Sequence, residues 1–447
     1  MERAPQAVKL RIASIELLER DVKLRMPFRF GVVTLTESPQ AFVRCRIRTD
    51  GGREAEGAAA ELLAPKWFDK NPALSNEDNY EQLRASLRTA RERYLAHGAA
   101  TAWEHSSPST GLVANYGPAL LDRAILDALC RSQGISFYEA IRKNLVGADT
   151  FEGMSLPGFF SKLKPNPTVA ARHTVGLVDP ITAAEQKERV NDGLPETLEE
   201  VVARYGQRYF KLKVGGDIRA DVERLSAIAS VLDRIREPYH ASLDGNEQYD
   251  DFEGVAELWA KMKAAPRLRR MVESILFIEQ PVKRQKALER RIAGIDKPVI
   301  IDESDDSLDA FPRARALGYK GVSSKTCKGL YKSLVNGARC AAWGDGYFMS
   351  GEDLTIQAGL ALQQDLALVS LLGLTHVERN GHHYVNGMAD LPQAEQDTFL
   401  VAHPDLYERS HGAVRVRISN GDLAIGSLAC AGFASAAMPD WNSMRRM

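Results

Sequence analysis

Cysteine is scarce in this sequence and shows no pattern. Five residues (Cys45, Cys130, Cys327, Cys340 and Cys430) are scattered over 447 positions. There is no C-x-x-C pair and the total is odd, which argues against a disulfide framework or a structural zinc cluster. A surplus of either charge is also missing, since 58 Lys+Arg stand against 59 Asp+Glu for a net charge of -1. Without a basic excess there is no electrostatic case for a nucleic-acid partner. Long hydrophobic runs are absent too. The most apolar stretch, 358–377, is broken by Gln363-Gln364-Asp365, so no membrane span is expected. The first residues lack the apolar centre of a secretory signal, and a reducing cytoplasm is the expected location. The remaining composition, 44% hydrophobic and 26% charged, is that of a globular protein. At roughly 150 residues per domain, the length predicts two or three folding units.

The N-terminal third, taken as 1–150, reads as α+β. Val8, Leu10 and Ile12 alternate with charged residues, as in a half-buried strand. Val43, Cys45 and Ile47 alternate again and run into the turn Asp50-Gly51-Gly52. Ser75 with Asp78 predicts a capping box opening a helix that stops near Gly98, and a second helix is expected from about Pro118 to Gly134. The rhythm changes from 151 to 395. Strand-like runs at 209–214, 239–244, 275–279, 299–302, 321–325, 347–349 and 376–378 are separated by amphipathic stretches, and His173 to Leu177 supplies a candidate first strand. Strands alternating with helices imply a parallel sheet, and about eight strands in roughly 230 residues suit a (β/α) barrel. The segment from about 160 to 195 reads as a loop excursion. In 396–447, Val414 to Ile418, Asn420-Gly421 and Leu423 to Ile425 read as a hairpin expected to lie beside the N-terminal sheet. The predicted fold class is therefore α/β, a modified (β/α)8 barrel of the (β/α)7β type with an α+β capping domain built from both chain ends.

One placement repeats along the barrel. Lys213, Asp244, Glu279, Asp302 and Lys325 each fall at or just past a predicted strand end, with gaps of 31, 35, 23 and 23 residues. In a barrel that brings all five to the rim where such enzymes keep their active sites. Three carboxylates on one rim repel unless a cation sits among them. Oxygen-only ligands favour a hard ion, Mg²⁺ first and Mn²⁺ second. Lys211 and Lys213 share one strand face about 7 Å apart. Their repulsion, roughly 2.4 kcal/mol at an effective dielectric of about 20, would lower one lysine pKa by about 1.7.

These residues resemble the enolase superfamily, and within it the muconate-lactonizing-enzyme-like group of the mandelate racemase/muconate lactonizing enzyme family. Lys211-x-Lys213, Asp244-x-Asn246, Glu279-x-Pro281, Asp302-Glu303-Ser304 and Lys325 follow that group's order and approximate spacing. Met26-Pro27-Phe28-Arg29-Phe30-Gly31 and Ile425-Gly426-Ser427 look like parts of its capping domain. The resemblance implies Asp244, Glu279 and Asp302 as Mg²⁺ ligands. It implies Lys213 and Lys325 as bases on opposite faces of a bound carboxylate, with Lys211 as the accessory lysine. The implied reaction removes the proton α to a carboxylate through a metal-stabilised enediolate, giving racemisation, epimerisation or cycloisomerisation. Two departures stand out. The group's glycine pair after the sixth-strand lysine is reduced to Gly329 in Cys327-Lys328-Gly329, which leaves Lys328 as a rival to Lys325. The 160–195 excursion is also unusual.

Asn246, Glu303, Glu352, Glu378 and Arg29 are candidate substrate contacts. Asp353, Arg379, His382 and His383 could reach the same rim, and Phe28 and Trp67 lie in segments resembling capping loops. No histidine follows the seventh strand, so the mandelate-racemase type of general base is not matched. Dehydration of a hydroxy or sugar acid is the nearest alternative reaction. A Schiff-base aldolase on Lys213 or Lys325, or a catalytically inactive barrel, is the alternative of another class. The expected partner is a small-molecule carboxylate, and association into a homo-oligomer is expected.

Overall fold

A computed structural model describes residues 7–31, 33–186 and 188–447. The N-terminal unit is built on β1 (Lys9–Phe30), β2 (Val33–Thr49) and β3 (Glu54–Leu62), paired antiparallel in the order β1-β2-β3. The pairing Ile12↔Ile47, Ile15↔Cys45 and Leu17↔Val43 places the apolar alternation seen in the sequence against the core. Gly52, at φ 79, closes the expected turn between β2 and β3.

Three helices cover this sheet. In α1 (Asn76–Ala96) the Ser75 hydroxyl and the Asp78 carboxylate cap one another's backbone as a capping box. The short α2 (Ala102–His105) leads to α3 (Leu112–Gln133). Helix α3 starts six residues before Pro118, which lies inside it. The cost of an interior proline is a lost hydrogen bond to the carbonyl four residues back. Here Ser86 Oγ of α1 donates to that Ala114 carbonyl at 3.0 Å and accepts from Gly117 N at 3.0 Å, so the neighbouring helix repairs the break.

Eight parallel strands then close a barrel. They are β4 (Thr168–Val175), β5 (Tyr209–Lys213), β6 (His240–Asp244), β7 (Ile275–Glu279), β8 (Val299–Ile301), β9 (Gly321–Ser324), β10 (Phe348–Gly351) and β11 (His376–Arg379). Pairing of β11 with β4 completes the circle. The first strand begins five residues earlier than the His173–Leu177 run suggested, so the excursion narrows to the segment after Val175. Between the strands run α4 (Leu198–Tyr205), α5 (Ile218–Leu232), α6 (Phe252–Ala264), α7 (Leu330–Trp343) and α8 (Leu360–Leu371). Helices α4, α5 and α6 each open on an oxygen-bearing cap, Thr197, Asp217 or Asp251.

The C-terminal segment departs from the expected hairpin. Ala413–Val416 pairs back onto Tyr407–Ser410, and Asp422–Ala424 adds antiparallel to β4 at the barrel wall. The Asn420-Gly421 turn exists, with Asn420 at φ 50 and Gly421 at φ 83, but it joins two different sheets. Only Arg445–Arg446 returns to the N-terminal sheet, beside Leu18 and Glu19 of β1. A short alternating run fixes which face is buried, not which edge it finds. One apolar core joins the capping sheet, α3, α7 and α8, so the cap is packed continuously onto this side of the barrel.

Candidate active site

Barrel register sets the site. Lys213 pairs with Asp244, and Asp244 with Glu279, so the three stand side by side at one level of the rim. Two-residue alternation turns Lys211 inward one layer deeper. Asp302, Lys325, Glu352 and Glu378 continue the ring, and all of these side chains are buried. Five strand-end acids therefore surround the barrel mouth, two more than the metal-ligand motif contains.

The lysines engage these acids. Lys213 Nζ donates to Asp244 Oδ2 at 2.5 Å and to Asn246 Oδ1 at 2.6 Å. Lys325 Nζ donates to Asp302 Oδ2 at 2.6 Å. Lys211 Nζ lies 2.9 Å from Asp244, 2.9 Å from Glu279, 2.5 Å from Glu352 and 2.9 Å from Glu378. This corrects the like-charge argument made from the Lys211-Leu212-Lys213 spacing. Burial acts to lower the Lys211 pKa, but the four carboxylates outweigh it and hold the ammonium well above its ordinary range. Spacing along one strand could not reveal acids contributed by four others.

The acids respond in opposite directions. Burial pushes Asp302 up, yet Lys325 and Lys328 overcome it and hold the carboxyl well below the usual range. Asp244 is likewise lowered, by Lys211 and Lys213 against its burial. Glu279 goes the other way, pushed well up by burial and by the neighbouring Glu352 charge. Its Oε1 accepts from Lys211 Nζ at 2.9 Å, and its buried Oε2 lies 2.9 Å from the same ammonium.

Among the described residues, no three His, Cys, Asp or Glu side chains stand in a metal-ligating arrangement. As placed, the oxygens of Asp244 and Asp302 face ammonium groups. The donor chemistry nevertheless fits a hard divalent cation. All three proposed ligands offer carboxylate oxygen, all are buried, and one ammonium, that of Lys211, is shared among four carboxylates.

The cap closes the site from above. Phe28 and Phe30 of β1, Leu35 of β2, and Trp67 after β3 line the same cavity as Lys211, Lys213, Asp302, Lys325, Glu378 and Asn380, and only about 30 Å³ of free space remains among them. That is room for only about two waters. Lys325 Nζ sits 4.9 Å from the Trp67 ring centre. The loop carrying Trp67 is tied down by Arg284, which donates to the Trp67 carbonyl at 2.8 Å and the Phe68 carbonyl at 3.0 Å while pairing with Glu247. Lys70 ties it again, to the Asn246 carbonyl at 2.7 Å and Glu303 at 3.2 Å.

Other candidates fall in varied places. Asn246 lines the cavity and donates to Glu303, which lies behind it, at 3.2 Å. Arg29 does not line it: alternation along β1 turns Phe28 and Phe30 inward and leaves Arg29 exposed. Lys328 bonds to Ser323 Oγ at 2.9 Å and pairs with Asp305 at 3.1 Å, outside the cavity wall that Lys325 forms. His382 and His383 gather instead with His173 in a separate buried group. Cys327 is a buried filler whose thiol burial pushes well up. Sequence reasoning missed Arg172, Lys70 and Arg284. Arg172 on β4 reaches past the neighbouring β11 to Glu352 at 2.5 Å, a partnership that no local pattern in the sequence signals.

The fold agrees with the comparisons. Residues 193–407 match the family model described as Enolase C-terminal domain-like. No curated protein sequence matches the chain. Among solved structures, similar ones include the L-Ala-D/L-Glu epimerase from Bacillus subtilis, at TM-score 0.61 and 16% identity, covering 96% of this chain and 99% of that one. The dipeptide epimerase from Enterococcus faecalis V583, solved with Mg and the dipeptide L-Leu-L-Tyr, superposes at TM-score 0.63 and 14% identity over 95% and 99% of the two chains. The 2-chloromuconate cycloisomerase from Rhodococcus opacus 1CP gives 0.62 and 14% over 97% and 98%. The chain therefore carries the fold of the enolase superfamily, and residues 193–407 are similar to its enolase C-terminal domain-like family.

Proposed function

We propose that this chain is a divalent-cation-dependent enzyme that takes the proton from the carbon α to a substrate carboxylate and returns one, giving racemisation, epimerisation or cycloisomerisation. One observation carries the reading. Lys213 and Lys325 come from the second and sixth of eight strands, and so approach one buried cavity from opposite walls, each held by a carboxylate. A lysine on either side of a planar centre can remove a proton from one face and deliver it to the other.

Asp244, Glu279 and Asp302 would hold the cation, Mg²⁺ or Mn²⁺, which supplies charge neutralisation for the substrate carboxylate. Binding substrate there requires Lys213 and Lys325 to leave Asp244 and Asp302, which frees both amines to act. Asn246 keeps a hydrogen-bond acceptor near Lys213, and Lys211 holds Glu352 and Glu378 in place beneath the site. Phe28, Phe30, Leu35 and Trp67 exclude water from above and favour a substrate with an apolar group beside its carboxylate. Names of the structural neighbours, two epimerases and a cycloisomerase, support the reaction type.

A library of dipeptides, N-acylamino acids, sugar acids and lactones, incubated with protein and Mg²⁺ in ²H₂O, tests this. The reading expects deuterium at the α-carbon of an apolar member, abolished by EDTA and restored by Mg²⁺. Net loss of water from a hydroxy acid would overturn it in favour of a dehydratase. Borohydride trapping of substrate on Lys213 or Lys325 would overturn it in favour of an aldolase.

A further inference from the structure

A second cavity, of about 220 Å³, opens where the cap meets the barrel and shares no lining residue with the carboxylate site. Trp103 of α2, Ala119 and Asp122 of α3, Phe151, and Tyr331 and Val335 of α7 form its walls. The Trp103 and Tyr331 rings meet edge to face at 5.1 Å. Most of this lining is apolar, and that makes two groups in it anomalous. The Tyr331 hydroxyl is buried with no hydrogen-bond partner. Asp122 is 5% exposed, and its carboxylate has only neutral partners, Tyr94 Oη at 2.8 Å and Ser106 Oγ at 2.7 Å.

Among the described residues, no Lys, Arg or His pairs with Asp122. The one cation in the wall, Lys332, is turned to Asp305 at 3.3 Å. Burial pushes the Asp122 carboxyl up to about 7, so near neutral pH a large share of molecules carries a buried charge without a counter-ion. Accepting from two hydroxyls needs only an amide or carbonyl oxygen. An acid at this position fits a cation.

We propose that this cavity binds a small organic monocation, an ammonium group on an apolar body. Its N–H groups donate to the Asp122 carboxylate and the Tyr331 oxygen. The rings of Trp103, Phe151 and Tyr331 enclose its apolar part and add cation–π attraction.

Calorimetric titration of the full chain at pH 8 with benzylammonium, and with benzyl alcohol as its neutral isostere, tests the site. One benzylammonium should bind per chain, about tenfold or more tighter than benzyl alcohol. Asp122→Asn should remove that preference. Phe151→Ala, at a half-buried wall position, should weaken benzylammonium severalfold, which keeps the test decisive if Asp122→Asn fails to fold. Absence of saturable binding at millimolar concentration would overturn the proposal. So would equal binding of the two probes, or binding unaffected by Phe151→Ala, which would locate it elsewhere.

Discussion

Each charged side chain in the barrel mouth is defined by its neighbours across the barrel, not by its own strand. Arg172 shows the energetic side of this. It is fully buried and donates to Ser350 Oγ at 2.8 Å, to the Gly351 carbonyl at 2.9 Å and to Glu352 at 2.5 Å. Replacing it with Met leaves Glu352 buried with one cation fewer, and removing one partner of a buried pair costs about 3 kcal/mol or more. Urea denaturation should show Arg172→Met destabilised by about that amount; a change below about 0.5 kcal/mol would mean Lys211 alone satisfies Glu352. Asp122 makes a pH-dependent prediction. Its folded pKa, about 7, lies above the ordinary 3.8, so the folded chain keeps a proton that the unfolded chain releases. The stability this group contributes is complete below about pH 4 and falls, on the order of 1 kcal/mol per pH unit, until about pH 7. The stability of wild type relative to Asp122→Asn should therefore fall from pH 4.5 to pH 7 and then level off. A difference that stays constant would contradict the assignment.

At the scale of elements, what could be read in the sequence was what repeats at short range. The Ser75–Asp78 capping box, the Asp50-Gly51-Gly52 turn and the strand ends bearing Lys213, Asp244 and Glu279 are local signals, and the structure keeps them. Partnerships between distant segments were not legible. Asp422–Ala424 joined β4 instead of Ala413–Val416, and Pro118 stayed inside α3 because Ser86 of another helix satisfied the freed groups. The candidate site divides in the same way. The strand-end places of its acids and lysines could be found from spacing, whereas Arg172, Lys70 and Arg284 act through contacts spanning 180, 233 and 217 residues. The cap loop is the element most exposed to test. Arg284 holds the Trp67 and Phe68 carbonyls, so Arg284→Ala should release this loop. Hydrogen exchange should then rise at 66–71 with little change in β5 to β7, and unchanged protection there would show that Lys70 alone suffices.

As a whole molecule, the chain brings buried acids onto one side of a barrel and closes a largely apolar lid over them. The acids repel one another, and the lysines now facing them offset only part of that. A bound dication should stabilise the folded chain by mass action. Mg²⁺ at millimolar concentration should raise the melting temperature by several degrees. Asp244→Asn, lacking one of three anionic ligands, should fold and lose most of the rise. An equal rise in both proteins would place the ion elsewhere.

The central claim is that two lysines work on opposite faces of one carbon. Its most direct test follows each antipode of an exchanging substrate in ²H₂O with Lys213→Ala and Lys325→Ala. Each variant should retain α-proton exchange from one antipode only, and the two variants should retain opposite ones. Exchange of both antipodes at the wild-type rate by either variant would contradict the account.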